Sequence, residues 1–184
     1  MPKTPPSSAA LRVADLAQNA GTAFEIVPDA AQMAAIAEVL DLSGLRKLRF
    51  VGEVSAQGRS DWVLTASLGA TVTQPCAVTL APVTTRIDVP VRRQFVTDWV
   101  EAEEGEVEMP EDDTIEPLGN WIDPEAVMIE ALSLAVPDYP RAEGVALGET
   151  VLAGPGVVAL TDDDLRPFAG LADLKSKMEG KDDT

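Results

Sequence analysis

The sequence predicts an α+β fold: a mainly antiparallel sheet of long strands with two or three helices packed on it. Three observations lead there. Strand-like runs follow one another from residue 45 to residue 99 with only turns between them. Each run alternates apolar and polar residues, the period of a sheet with one buried face. Segments with helical spacing precede and follow the runs, and strands grouped apart from helices indicate α+β layering.

In chain order, residues 1–10 are rich in proline and serine and read as a flexible arm, followed by a short strand at residues 11–16. Thr22-Ala23-Phe24-Glu25-Ile26-Val27 forms a second strand. A helix starts after Pro28, with Asp29 as cap and Gln32 three residues on as in a capping box, and Met33, Ile36, Ala37 and Leu40 form its apolar stripe. Ser43-Gly44 ends it. A strand over residues 45–54 carries Arg46, Lys47 and Arg49, and Gly58-Arg59-Ser60-Asp61 turns the chain back. From Trp62 the even positions Leu64, Ala66, Leu68, Ala70 and Val72 are apolar, with hydroxyl residues between them. The turn Gln74-Pro75-Cys76-Ala77-Val78-Thr79-Leu80-Ala81-Pro82 leads into a third run. There Val83, Ile87, Val89, Val91, Phe95 and Trp99 share one parity, while Arg86, Asp88, Arg92, Gln94 and Asp98 share the other. Parity sets Arg93 on the apolar side, where a strand end or a bulge beside Pro90 is expected to release it.

No lysine or arginine occurs between Arg93 and Arg141. Like charges in that gap predict an extended acidic loop at residues 101–114. Asp123-Pro124-Glu125 combines a cap, a proline at the first helical position and an acid near the positive helix end. The helix it opens runs to Val136, is apolar on more than one face and should be deeply buried. Proline and glycine then recur to residue 156. A last amphipathic helix begins at Pro167, with Phe168, Leu171, Leu174 and Met178 on one side. The expected organisation is one domain over residues 11–178, with a frayed tail at 179–184.

A formal charge of −17, from 31 acidic and 14 basic residues, repels polyanions at long range and favours basic partners. The bland alternative is that acidity serves solubility alone. With no apolar stretch approaching the roughly 18 residues of a membrane span, and no signal-peptide core, the expected location is the cytoplasm and no membrane partner is expected. The single cysteine fits a reducing compartment.

The order of several motifs carries a resemblance. Gln-Pro-Cys-x-x-Thr-Leu-x-Pro enters the arginine-bearing strand; Trp121-Ile122-Asp123-Pro124-Glu125 opens a helix closing on Leu132-Ser133-Leu134-Ala135-Val136-Pro137-Asp138-Tyr139-Pro140; and Arg166-Pro167-Phe168-Ala169-Gly170-Leu171-Ala172-Asp173-Leu174-Lys175 stands near the end. Over roughly residues 20–178 the chain resembles the YceD-like family of large ribosomal RNA subunit accumulation proteins. The resemblance implies a non-enzymatic accessory factor supporting synthesis, processing or stability of large-subunit ribosomal RNA. Many members carry Cys-x-x-Cys in the turn and some a cysteine-rich tail after the helix. Here Thr79 takes the second turn position and Pro140-Arg141-Ala142-Glu143-Gly144 the tail. With one thiol and no histidine, no four-ligand zinc site can be built from this chain, and no cofactor is expected.

Catalysis by Cys76 would need a base or cation beside it, so a structural cysteine is favoured. Hydrolase, phosphate-loop and dinucleotide patterns are absent. Two sets of residues remain as contact candidates. Glu101, Glu103, Glu104, Glu106, Glu108, Glu111, Asp112 and Asp113 offer an acidic surface to a basic ribosomal protein or assembly factor of the large subunit. They lack the order of a calcium loop. Arg46, Lys47 and Arg49, with Arg86, Arg92 and Arg93, offer a basic surface to a partner or to precursor ribosomal RNA if their strands are neighbours. Cross-strand pairing with Glu53, Asp88 and Asp98 is the structural alternative. Trp62 and Trp99 lie on apolar faces and read as core anchors, not stacking platforms.

Overall fold

The computed structural model describes residues 4–97 and 114–145. The chain divides into two compact units, Met1–Glu143 and Gly144–Thr184, and the elements below all belong to the first. The acidic residues of 101–113, Trp99, the helix from Pro167 and the tail fall outside the described residues.

The order is β1 (Leu11–Arg12), a 3-10 turn (Val13–Asp15), β2 (Thr22–Ile26), α1 (Ala30–Val39), β3 (Gly44–Gln57), β4 (Asp61–Pro75), β5 (Pro82–Val96), β6 (Ile115–Pro117), β7 (Trp121–Ile122) and α2 (Pro124–Ala135). Five strands form a sheet in the order β2-β3-β4-β5-β6, and β1 pairs with β7 apart from it. All pairings are antiparallel except β5 with β6, which is parallel. The strand expected over residues 11–16 stops at Arg12, where the chain tightens into the 3-10 turn.

Alternation builds the core. Leu48, Phe50 and Val54 of β3, Trp62, Leu64, Leu68, Ala70 and Val72 of β4, and Ile87, Val91 and Phe95 of β5 are buried on one face. Helix α1 lies against β3 and α2 against β4 and β5, on that same face. Asp29 and Gln32 close the capping box that opens α1, Asp29 Oδ1 accepting from Gln32 N and Gln32 Oε1 from Asp29 N, each at 2.8 Å. At α2, Asp123 Oδ1 accepts from Glu125 N, Ala126 N and, at 2.6 Å, Ser7 Oγ. The expectation that α2 is deeply buried is corrected: Val127, Met128, Ala131 and Leu132 are buried, but Leu134 is 77% exposed, because a helix on a single sheet layer hides only one stripe.

Two local features position the candidate site. Between Arg46 and Arg49 the β3–β4 register slips, so that Lys47 and Leu48 together oppose Ala70. This is a β-bulge, and Lys47 occupies it at φ 53°, a left-handed conformation that costs a side-chain-bearing residue about 1–2 kcal/mol. The second feature is Pro90. Gln94 N donates to Thr114 O on the β6 side, so the even-numbered residues of β5 direct their backbone groups away from β4. Pro90 is one of these, and its missing N–H therefore costs the β4–β5 ladder nothing. That ladder runs unbroken from Trp62↔Phe95 to Pro75↔Pro82.

Candidate functional site

The other face of the sheet carries the basic residues. On β3 the bulge turns Arg46 and Lys47 outward together before Leu48 turns in and Arg49 out again. Arg46 is in register with Thr71 of β4, and Thr71 with Arg86 of β5. The two sets are thus not on neighbouring strands, as direct contact would need. They flank β4, about 10 Å apart at two strand spacings. Arg86 bridges part of that gap. An added Cβ at Gly69 would stand 2.7 Å from its Nη2, so the guanidinium lies over a position that glycine leaves open.

Pairing is partial. Arg86 Nε donates to Asp88 Oδ2 at 2.7 Å and Nη2 to Oδ1, a fork along one strand, not across two. These hydrogen bonds hold Asp88 below the usual carboxylate range. Arg49 Nε donates to Glu25 Oε1 of β2 at 2.9 Å, both side chains more than half exposed. Glu53 takes part in no ion pair among the described residues, nor do Arg46, Lys47 and Arg92; Arg92 Nη2 donates to Gln94 Oε1. Arg92 stands six residues beyond Arg86, about 20 Å along β5, and belongs to a different part of the surface.

Arg93 is not released to solvent, contrary to expectation. No bulge forms at Pro90, and Arg93 is held on the inner face at 9% exposure. Its Nη2 donates to Glu130 Oε1 of α2 at 2.7 Å, and its Nε lies 3.2 Å from Glu116 Oε1 of β6. Burial pushes the Glu116 carboxyl up, Arg93 draws it down, and the negative charge of Glu130 adds to the rise. A guanidinium fixed between β5, β6 and α2 is a structural tie, not a contact residue.

Cys76 lies in a hydrogen-bonded turn, its N–H donating to Ala81 O and its carbonyl accepting from Leu80 N. The sulfur is fully buried. The Thr79 side chain and the backbone N–H groups of Ala142, Thr79 and Val78 hydrogen-bond to it and lower the thiol from 9.0 to about 6, against the opposing effect of burial. Ala142 N reaches Cys76 Sγ at 3.4 Å, and Ala77 N donates to Pro140 O at 2.8 Å. The turn and the segment after α2 therefore meet in space. Among the described residues no group of three or more His, Cys, Asp or Glu side chains could hold a metal ion, and no helix is long and apolar enough to cross a membrane.

A family match covers residues 64–175, that is 112 of 184 residues, and the family is described as large ribosomal RNA subunit accumulation protein YceD. The chain belongs to the YceD family. No curated protein and no solved structure matches it. The YceD match begins within β4, so it takes in the Cys76 turn, β5 and α2. Arg46, Lys47 and Arg49 precede it. In this YceD chain the β3 bulge is the feature that local reading missed, although a signal was there. The apolar residues switch parity between Leu45 and Leu48, which is what one extra residue produces.

Proposed function

We propose that the protein is a non-enzymatic, cytoplasmic accessory factor of large ribosomal subunit biogenesis, supporting synthesis, processing or stability of large-subunit ribosomal RNA. It acts by holding a basic ribosomal protein or assembly factor on an acidic surface. The description of its family supports the first part. One observation supports the second. Residues 98–113 hold nine carboxylates and no basic residue, and both flanks of this stretch are tied to one corner of the sheet. Thr97 N donates to Asp61 Oδ1 at 3.0 Å, and Thr114 O accepts from Gln94 N at 2.8 Å. With Ile115 in register with Gln94, the two flanks are about 14 Å apart. Nine negative charges inserted between such flanks give a concentrated field that steers a cationic partner and weakens with salt.

The test is sedimentation of tagged protein on a sucrose gradient, joined to pull-downs at low and high salt. Co-migration with large-subunit precursors and salt-sensitive capture of a basic protein, lost when residues 101–113 are deleted, are the expected results. Capture unchanged by that deletion overturns the acidic-surface reading. Absence from precursor fractions overturns the biogenesis reading.

A further inference from the structure

We infer that the outer sheet face around the β3 bulge is a second contact surface, one that takes the phosphodiester backbone of RNA. The inference rests on the biogenesis reading only for its choice of partner; the surface itself is argued from the sheet.

The residues gathered there are Arg46, Lys47 and Arg49 from β3, Thr71 from β4 and Arg86 from β5. In an unbroken strand Lys47 would point inward, on the opposite face from Arg46. The bulge adds one residue, and both cations come out side by side. Lysine at φ 53° is an unfavoured occupant of a position that suits glycine. A strained residue carrying an unpaired charge at the centre of a charged cluster marks a site where charge is retained against backbone preference.

Charge complementarity selects the occupant. The described residues carry nine basic and fourteen acidic side chains, so a net −5. Within that background this patch holds four cations against two carboxylates, Glu25 and Asp88, each occupied by one arginine. Arg46 and Lys47 have no ion pair among the described residues. Between β3 and β5 runs β4, where the Arg86 guanidinium reaches over Gly69 and its Nη1 stands 3.5 Å from the Thr71 hydroxyl, and cations with hydroxyl groups are the usual phosphate-contacting set. Of the strongly exposed large hydrophobic residues, Val27 follows β2 beside Arg49, since Ile26 is in register with Phe50, whereas Leu134 and Tyr139 belong to α2 and the segment after it. A single valine is too little apolar surface to anchor the patch in a membrane, and a phosphodiester chain needs no such anchor. No base-stacking side chain stands on this patch, so the contact is with backbone and carries little sequence preference.

The test uses the full chain and a fluorescent single-stranded RNA of about 20 nucleotides, followed by anisotropy across a salt series. Each phosphate contact adds about 0.7 to the salt slope, which at about 50 mM salt corresponds to about eightfold in affinity relative to about 1 M. Arg46→Ala and Lys47→Gly are each expected to weaken binding by about fivefold to tenfold at low salt and to flatten the slope by about 0.7. Lys47→Gly should do so with an equal or higher melting temperature, because glycine relaxes the bulge; a merely structural lysine would not separate the two readouts. Arg92→Ala, outside the patch, should bind as the parent does. The inference is overturned if the parent chain does not bind RNA, if the two patch variants bind as well as the parent, or if polyglutamate or phosphatidylserine vesicles displace RNA at equal charge. Failure here with the protein still travelling with large-subunit precursors removes the surface and leaves the biogenesis reading. RNA binding with no such co-migration does the reverse.

Discussion

Gly52 offers the sharpest test of how the sheet is built. It lies in an inner row with Phe24, Ala66 and Val91. A Cβ added there would stand 2.2 Å from Thr65 O and 2.5 Å from Ala66 Cβ, where ordinary contacts begin near 3.4 Å. The nearest obstacle is backbone, so no rotamer change relieves it, and β3 and β4 must move apart by about 1 Å in the middle of the sheet. Overpacking costs typically about 1–3 kcal/mol, and a backbone clash belongs at the upper end. At about 3 kcal/mol, with a urea slope of about 1.5 kcal/mol per molar, Gly52→Ala should lower the urea midpoint by about 2 M. Tryptophan fluorescence, to which Trp62, 1% exposed on the adjoining strand, contributes, follows the transition. Gly58→Ala is the comparison. Gly58 has φ 70° with nothing near its missing Cβ, so its cost is backbone strain alone, about 1 kcal/mol or about 0.7 M. A Gly52→Ala shift no larger than that of Gly58→Ala would refute the close-approach argument.

Asp123→Ala removes an oxygen that accepts from two backbone N–H groups and Ser7, and should cost about 1–2 kcal/mol in urea unfolding, against about 1 kcal/mol for Asp29→Ala at the more exposed capping box. Cys76 should titrate near pH 6 when thiolate absorbance is followed in the folded protein, and Thr79→Val should move that midpoint upward because the largest cause of the lowering is gone. Since the folded state then binds fewer protons than the unfolded one, Cys76 contributes stability that grows as pH rises from about 6 to 9 and is lost as pH falls through 6; Cys76→Ala should flatten the profile in that window. Glu116 acts with the opposite sign. Its folded carboxyl is raised above 4.5, so the fold gains on protonation and loses stability as pH climbs through the window just above 4.5, a loss that Glu116→Gln should remove from a pH series of urea midpoints.

The parts of this fold legible in the sequence are those set by near neighbours. Alternation from Trp62 to Val72 placed one face of β4 in the core, and Asp29 with Gln32 marked the start of α1, because both depend on residues within a few positions of one another. Arg93 shows where that stops. Its inward parity was visible, but what makes an inward arginine tolerable is Glu116 on another strand and Glu130 on a helix 37 residues away. Strand β6 has three residues, too few for a period, and its parallel pairing depends on a return of the chain that has no local signature. Of the candidate site, the basic residues were legible as types. Their grouping was not, since it needed the order β3-β4-β5 and the one-residue slip at Lys47. The sulfur of Cys76 gained its partner from Ala142, 66 residues on, for the same reason.

Pro90 has a consequence for behaviour in concentrated solution. Along β5, residues up to Arg93 have no strand partner on the outward side among the described residues, and a bare margin of this kind invites other copies to stack beside it. A ring nitrogen at mid-margin leaves any such copy one bond short at the point where a continuous ribbon would have to close. That gap discourages growth into fibrils by this route while leaving every bond within the monomer intact.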